Sequence, residues 1–335
     1  MIFNPQHIGL FFGQAAIDAA LQARDKDTDV QSAFQWLLAN AGDVVREFKP
    51  KKGDVIVQHK PQLDLLGELI EAGLRYRFLG DEARGTQAAQ TLAGGIYAEG
   101  NLRVQLMHLV ASAYAFEMLH PLMADDARQQ WATSFADAAQ TLLNAPNTAY
   151  NDKLWQMTLR IVAGVVLEDE ALFTSGTEAF KEVIHTDIHP DGYIRPAVQA
   201  GTDKTFLSMT QAVTALTLAA EAAIHAGENL WEYEYREVSI NTPISYLTFY
   251  YYYPERWHWY ENLTEDHTRT AFDQFGAFIE IASSHRNPRG VELLLEERRP
   301  FFNTYAGGLT SLTHFNIVRR KKFGLFGGLF GGGEG

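Results

Sequence analysis

The chain has 335 residues, of which 46% are hydrophobic and 21% charged, the balance of a globular protein with a sizeable core. Its 28 basic and 41 acidic side chains give a formal net charge of −13, which argues against nucleic acid as the main partner, since phosphate binding rests on clustered Lys and Arg. There is no cysteine, which excludes disulfides and thiol chemistry, and no clean apolar run reaches the roughly 18 residues of a membrane span.

The opening MIFNPQHIGLFFGQ has no basic stretch, the first Lys or Arg being Arg24, so it does not read as a secretory signal. The expected location is cytoplasmic, or periplasmic or secreted if a signal has been removed. Apolar residues then recur at three- and four-residue spacings in successive blocks. Two lie near 9–24 and 30–40. In 61–79, Leu63, Leu66, Leu69, Ile70, Gly73, Leu74 and Phe78 form one stripe, with Pro61 suited to a first turn and Gly80-Asp81 ending that helix and capping the next. Further helical blocks are predicted over 82–95, 103–120, 126–143, 152–167, 170–184, 206–226 and 267–284. Asn147, Gly227 and Pro254 act as breakers between them.

Short connections make neighbouring helices antiparallel hairpins. With no strong strand alternation and no exact repeat, the pattern predicts an all-α chain forming an (α/α) toroid or incomplete barrel, one domain over 1–318, with short strands or loops near the C-terminus. Segment 185–205 is the longest interruption in the middle and reads as a cleft-lining loop or short ribbon. Segment 307–316, GGLTSLTHFN, reads as a strand or tight turn covering the toroid and offers His314 and Asn316. The basic clusters at 46–52, 286–299 and 319–322 read as solvated faces. After the last of them, FGLFGGLFGGGEG over 323–335 is too rich in glycine for a helix, so 319–335 is expected to be a disordered tail.

Few motifs carry chemistry directly. The 11 histidines include no HExxH, and there is no GxGxxG, P-loop or GxSxG, so nucleotide and serine-hydrolase chemistry have no support and no metal or cofactor is expected. His185, Asp187, His189 and Asp191 stand close enough to chelate a cation, although turn and cap chemistry produces the same composition. Residues 246–260, YLTFYYYYPERWHWY, are dense in aromatic rings, which suits both core packing and stacking on the C–H faces of sugars.

Residues 150–192, YNDKLWQMTLRIVAGVVLEDEALFTSGTEAFKEVIHTDIHPDG, resemble the alginate lyase family. Its members carry an Asn-Asn-His-x-x-Trp motif opening a helix, a later AVVLND-x-ALF stretch and a D-x-x-G-[FY]-L-P loop. Trp155 matches the motif's Trp, 168–173 falls at the second stretch, and 191–196 follows with one inserted residue. Residues 215–231 and 58–82 are similar to further family helices. The resemblance implies a toroid that acts on an acidic polysaccharide or oligosaccharide by β-elimination. In that reaction a polar group, usually Asn, neutralises the C6 carboxylate of a uronate. A Tyr or His then takes the C5 proton, and a Tyr protonates the leaving oxygen.

Carried over by position, Asn151 is the neutraliser, Asp152 stands where the family has His, Lys204 falls near its Arg, and Ser208 falls at its catalytic Tyr. Asp152 beside a uronate repels it unless protonated or paired, for example with Lys153. The base and acid must then come from Tyr193, His185, His189 or the tyrosines at 250–253. The substrate-binding candidates are Gln58, His59, Trp155, Tyr250, Tyr253, Arg256, Trp257 and His258. The leading reading is a polysaccharide lyase. One alternative is an inverting glycoside hydrolase pairing Asp152 with Asp187, Asp191 or Glu255 at ~6.5–9.5 Å. The other is a non-catalytic carbohydrate-binding or scaffold protein on the same fold.

Overall fold

The computed structural model describes residues 3–49, 55–147, 149–199, 204–286 and 290–315. Fifteen α-helices among them follow in chain order. They are α1 Gln14–Ala23, α2 Thr28–Leu38, α3 Leu65–Leu79, α4 Glu82–Ala93, α5 Leu102–Leu119, α6 Asp125–Leu143, α7 Tyr150–Val166 and α8 Glu170–Thr186. After these come α9 Arg195–Val198, α10 Thr205–Ile224, α11 Asn241–Tyr252, α12 Glu265–Phe275, α13 Phe278–His285, α14 Val291–Arg298 and α15 Thr310–Thr313. A two-stranded antiparallel ribbon, β1 Val44–Phe48 with β2 Ile56–His59, separates α2 from α3.

Burial sorts the helices into two layers. In α5, 13 of 18 residues are buried, in α7 14 of 17, and in α10 16 of 20, so these helices are surrounded by protein. In α4 and α6 only 4 of 12 and 4 of 19 are buried, a single stripe each, as expected of outer helices. Inner and outer helices alternate along the chain: α3 packs on α4 and α5, and α7 on α8, α5 and α10. This is an (α/α) toroid. By length and composition α10 is apolar enough to cross a membrane, but 78% of its most apolar stretch lies inside the protein, as an inner helix requires.

Side-chain caps set many helix boundaries. Asp64, Asp81, Asn101 and Asp169 accept from the free N–H groups of α3, α4, α5 and α8. Gly80 closes α3 in the left-handed region at φ 68°. Gly164 lets α7 and α8 approach closely, since a Cβ there would stand 2.6 Å from the backbone N of Phe173.

Because opposite ends of antiparallel hairpins alternate, the inner helices α5, α7 and α10 share one polarity, and the toroid has an N-terminal mouth and a C-terminal mouth. Residues 3–13 form a strap across the C-terminal mouth. There the backbone N–H groups of Asn4 and Gln6 donate to the carbonyls of Ala226 and His225, just past the end of α10.

Several expectations need correction. Near the C-terminus the expected short strands or loops are, among the described residues, loops with one isolated bridge between Asn303 and Gly308. A ribbon that was not expected lies at 44–48 and 56–59, where Val and Ile runs too short to show alternation pair as a hairpin. Within the segment expected as a strand or tight turn, Thr310–Thr313 form the short helix α15 after a turn at 304–307; Asn316 and the tail 319–335 lie outside the described residues. The block 267–284 is two helices broken at Gly276, and α3 starts at Leu65 behind the Asp64 cap rather than at Pro61. Within 185–205, an isolated bridge between Ile188 and Ile194 and the turn of α9 fold the segment back on itself.

Candidate functional site

A cleft of about 450 Å³ opens at the N-terminal mouth. Its wall comes from the first turns of α5 and α7, the second turn of α10 and the end of α12, and its polar side chains are Asn101, Arg103, Asp152, Gln211 and Gln274.

Arg103 is the centre of a network. Its Nε donates to Asp152 Oδ1 at 3.1 Å and its Nη1 to Gln211 Oε1 at 3.0 Å. Asp152, 4% exposed, also accepts from the Ala149 N–H at 3.2 Å, covering an orphan donor at the start of α7. This is half of a capping box, since the Ala149 side chain has no acceptor to complete it. The repulsion expected between Asp152 and an anionic ligand is therefore answered by Arg103. Lys153 reaches Asp187 instead, at 3.8 Å.

Asn151 sits next to this network but is buried and does not line the cleft. Its Nδ2 donates to the Ser208 carbonyl at 3.0 Å and lies 3.4 Å from Gln211 Oε1. Its donors are thus spent tying α7 to α10, and its buried Oδ1 has no partner among the described residues. Ser208 itself lies beside Asn151, 3.3 Å from Oγ to Nδ2. Lys204 is exposed at the residue before α10 and lines no part of the cleft.

A second pocket of about 660 Å³ gathers other sequence candidates: Tyr193 and Tyr250, with Tyr246, Phe249, Asp191 and His258. It shares no residue with the Arg103 cleft. The Tyr193 ring stacks on His189 at 4.5 Å and meets Trp259 edge-on at 4.9 Å. The Tyr250 hydroxyl and His258 Nδ1 are 3.4 Å apart. Burial pushes the Tyr246 hydroxyl well above the usual phenol range, so it keeps its proton.

The remaining candidates scatter. Trp155 is wholly buried, with its indole N–H unpartnered among the described residues, so it is placed in the core rather than against a sugar. Trp257 is buried and donates to Thr205 Oγ1 at 3.0 Å, a structural bond at the start of α10. Tyr253 is exposed beneath the Arg256 guanidinium, which lies 5.2 Å from its ring centre. Gln58 and His59 sit on β2 away from both pockets. Gln58 Nε2 donates to the Glu297 carbonyl, and the His59 imidazole pairs with the Gly42 carbonyl. The possible chelate at 185–191 is split, with His185 on the Tyr233 hydroxyl and Asp187 on the Tyr150 hydroxyl. No group of three or more His, Cys, Asp or Glu among the described residues is placed to hold a metal ion.

Arg103, Gln211, Gln274 and Asn101 are the polar residues that sequence reasoning missed. One signal was available. A cation in the first turn of a helix opposes the helix dipole, so Arg103 two residues after an Asn cap marks a position with work other than helix formation.

The fold is thus an (α/α) toroid with a polar cleft at the N-terminal mouth of its inner helices. The sequence model of the family described as alginate lyase matches residues 82–257, a span holding the inner helices α5, α7 and α10, with Arg103, Asp152 and Gln211 of one pocket and Tyr193, Tyr246 and Tyr250 of the other. The chain belongs to the alginate lyase family. The family and fold support a polysaccharide lyase function in the broad sense. No curated protein matches the sequence. Among solved structures, a variant of alginate lyase A1-III complexed with a tetrasaccharide is similar with a TM-score of 0.72 at 16% identity, over 95% of this chain and 97% of that one. Alginate lyase A1-III from Sphingomonas species A1 gives 0.69 at 14% identity over 94% and 97%. An alginate lyase from Bacteroides ovatus gives 0.65 at 13% identity over 91% and 98%. At these identities the likeness speaks for the fold.

Proposed function

We propose that the protein takes a uronate-containing oligosaccharide in the Arg103 cleft, its carboxylate against the guanidinium and its hydroxyls on the amides of Asn101, Gln211 and Gln274. Arg103 carries this reading. It is the only Lys or Arg on the cleft wall among the described residues, and Asp152 and Gln211 hold it in place before any ligand arrives. The N-terminal ends of α5 and α7 add positive potential there, so the local field is more favourable to an anion than the net charge of −13 suggests. The tetrasaccharide complex of a protein with this fold supports a saccharide partner.

β-Elimination needs three functions: a neutralised carboxylate, an acceptor for the C5 proton and a donor to the leaving oxygen. Arg103 offers the first. Among the described residues no Tyr or His lines the cleft, and Asp152 is held by Arg103 and the Ala149 N–H. These residues therefore favour an acidic-glycan-binding member of the family that does not eliminate in this cleft. Elimination itself is the second reading, favoured by the Tyr250–His258 pair in the neighbouring aromatic pocket. An inverting hydrolase finds no second carboxylate beside Asp152 on the described cleft wall.

Calorimetric titration with a uronate oligomer and its carboxyl-reduced counterpart separates these readings, when the ultraviolet absorbance of the C4=C5 double bond is followed in the same samples. Binding of the acidic oligomer alone, with flat absorbance, supports binding without elimination. Rising absorbance transfers support to the lyase. Binding of neither oligomer defeats the assignment of the cleft.

A further inference from the structure

At the C-terminal mouth, His7 of the strap touches a carboxylate with each ring nitrogen. Nδ1 is 3.1 Å from Glu117 Oε1, and Nε2 is 3.3 Å from Glu168 Oε1. Carboxylates only accept, so an imidazole that satisfies both must carry both protons. Glu117 is fully buried in the last turn of α5, and Glu168 follows α7, so both stand at helix C-termini, where the dipole disfavours negative charge. The other charged or titratable groups facing this contact are Arg77 of α3, whose Nη2 donates to the Glu117 carbonyl, and His120 after α5, whose ring centre is 6.1 Å from that of His7.

The strap is anchored unevenly. Leu10, Phe11 and Phe12 are buried, with Phe11 against Tyr114 and Phe12 against Phe78. Residues 3–9 lie outside that anchor, tied by the two backbone bonds to 225–226, a Phe3–Phe173 ring contact, the packing of Ile8 against the core and the His7 clamp. Leu10, at the junction, and Glu168, under the clamp, both hold φ 55°, a strained conformation for residues with a side chain. Beside the strap, a cavity of about 550 Å³ is walled by Gln6 from residues 3–9, by the anchored Phe11 and Phe12, and by Glu221, His225, His285 and His314.

We propose that residues 3–9 are a proton-operated cover over this cavity, clamped while His7 is doubly protonated between Glu117 and Glu168 and released when it loses a proton. The hydrogen bond to Glu117 raises the His7 pKa, burial lowers it, and the charges of Glu117 and Glu168 raise it further, leaving it above its ordinary value. A raised folded-state pKa means the clamp is complete below the ordinary histidine pKa, ~6.5, and is lost as pH rises through the folded value.

Hydrogen exchange read by mass spectrometry on the peptide spanning residues 3–9 tests this, with rates corrected for the intrinsic effect of pH. From about pH 6 to about pH 9, protection in the full chain should fall several-fold while that of α5 and α10 holds. His7→Gln should show low protection at both ends of the range. Glu168→Gln, at a carboxylate 72% exposed and so a safe site to change, should move the release to lower pH. Unchanged protection across the range, the same pH dependence in His7→Gln, or no displacement in Glu168→Gln would each overturn the proposal.

Discussion

Replacing Arg103 by Ala tests both the ligand reading and the local electrostatics. The guanidinium gives one charge-assisted bond to Asp152 and one to Gln211 while facing the cleft. Loss of a charged hydrogen bond to a bound carboxylate removes about 1.5–3 kcal/mol, a fall in affinity of roughly ten- to a hundred-fold. The same change takes the Arg103 cation away from Asp152, which is 4% exposed and keeps the Ala149 N–H. A fully buried pair broken in this way costs about 3–5 kcal/mol. The Arg103 side chain is 29% exposed, so water screens part of that and about 1–2 kcal/mol is expected. Adding Asp152→Asn removes the stranded charge while keeping an acceptor for Ala149, so the double variant should recover part of the loss. Calorimetry with a uronate oligomer gives the first quantity and denaturant unfolding the second. Unchanged affinity in a folded Arg103→Ala protein would refute the ligand reading. A double variant no more stable than the single one would refute the electrostatic one.

Three further outcomes follow from the packing and the buried charges. Gly164→Ala should destabilise by about 1–3 kcal/mol, because its Cβ would meet the Phe173 backbone; an unchanged melting temperature would contradict the α7–α8 contact. Trp155→Phe should lower stability by about 1–2 kcal/mol while leaving oligouronate affinity alone, since the indole is core; lost affinity in a folded variant would return Trp155 to the site. Burial raises the Glu221 carboxyl pKa, but hydrogen bonds from His285 and His314 outweigh it and leave the group well below its ordinary value. A depressed pKa contributes stability above the unfolded value of ~4.3 that is lost on acidification, so below about pH 5 the unfolding free energy should fall more steeply for the native protein than for Glu221→Gln. Parallel slopes would remove the role given to those imidazoles.

The outer and inner helices from α4 to α8 were legible because their boundaries are local: Asp81, Asn101 and Asp169 are caps with short-range partners. α11 was not, since NTPISYLTFYYY mixes β-branched and aromatic residues with little stripe, and packing against α10 and α12 gives it its helical form. The 267–284 block looked continuous because α13 is buried on nearly all sides and its periodicity carries little information across Gly276. At the site, the family motif led to α7 and thus to Asn151 and Asp152. Arg103, the partner of Asp152, lies 49 residues earlier, a pairing that no local pattern encodes. Trp155 shows the converse: a motif residue whose aromatic chemistry suits a sugar but whose position on an inner helix buries it.

The central claim is that an acidic glycan sits on Arg103. A crystal structure of the protein with a bound uronate oligomer tests it most directly. The account predicts a uronate carboxylate within hydrogen-bond reach of the Arg103 guanidinium and hydroxyls on Gln211 or Gln274. A sugar seated only among Tyr193, Tyr246 and Tyr250, with the Arg103 cleft empty of it, would contradict the account.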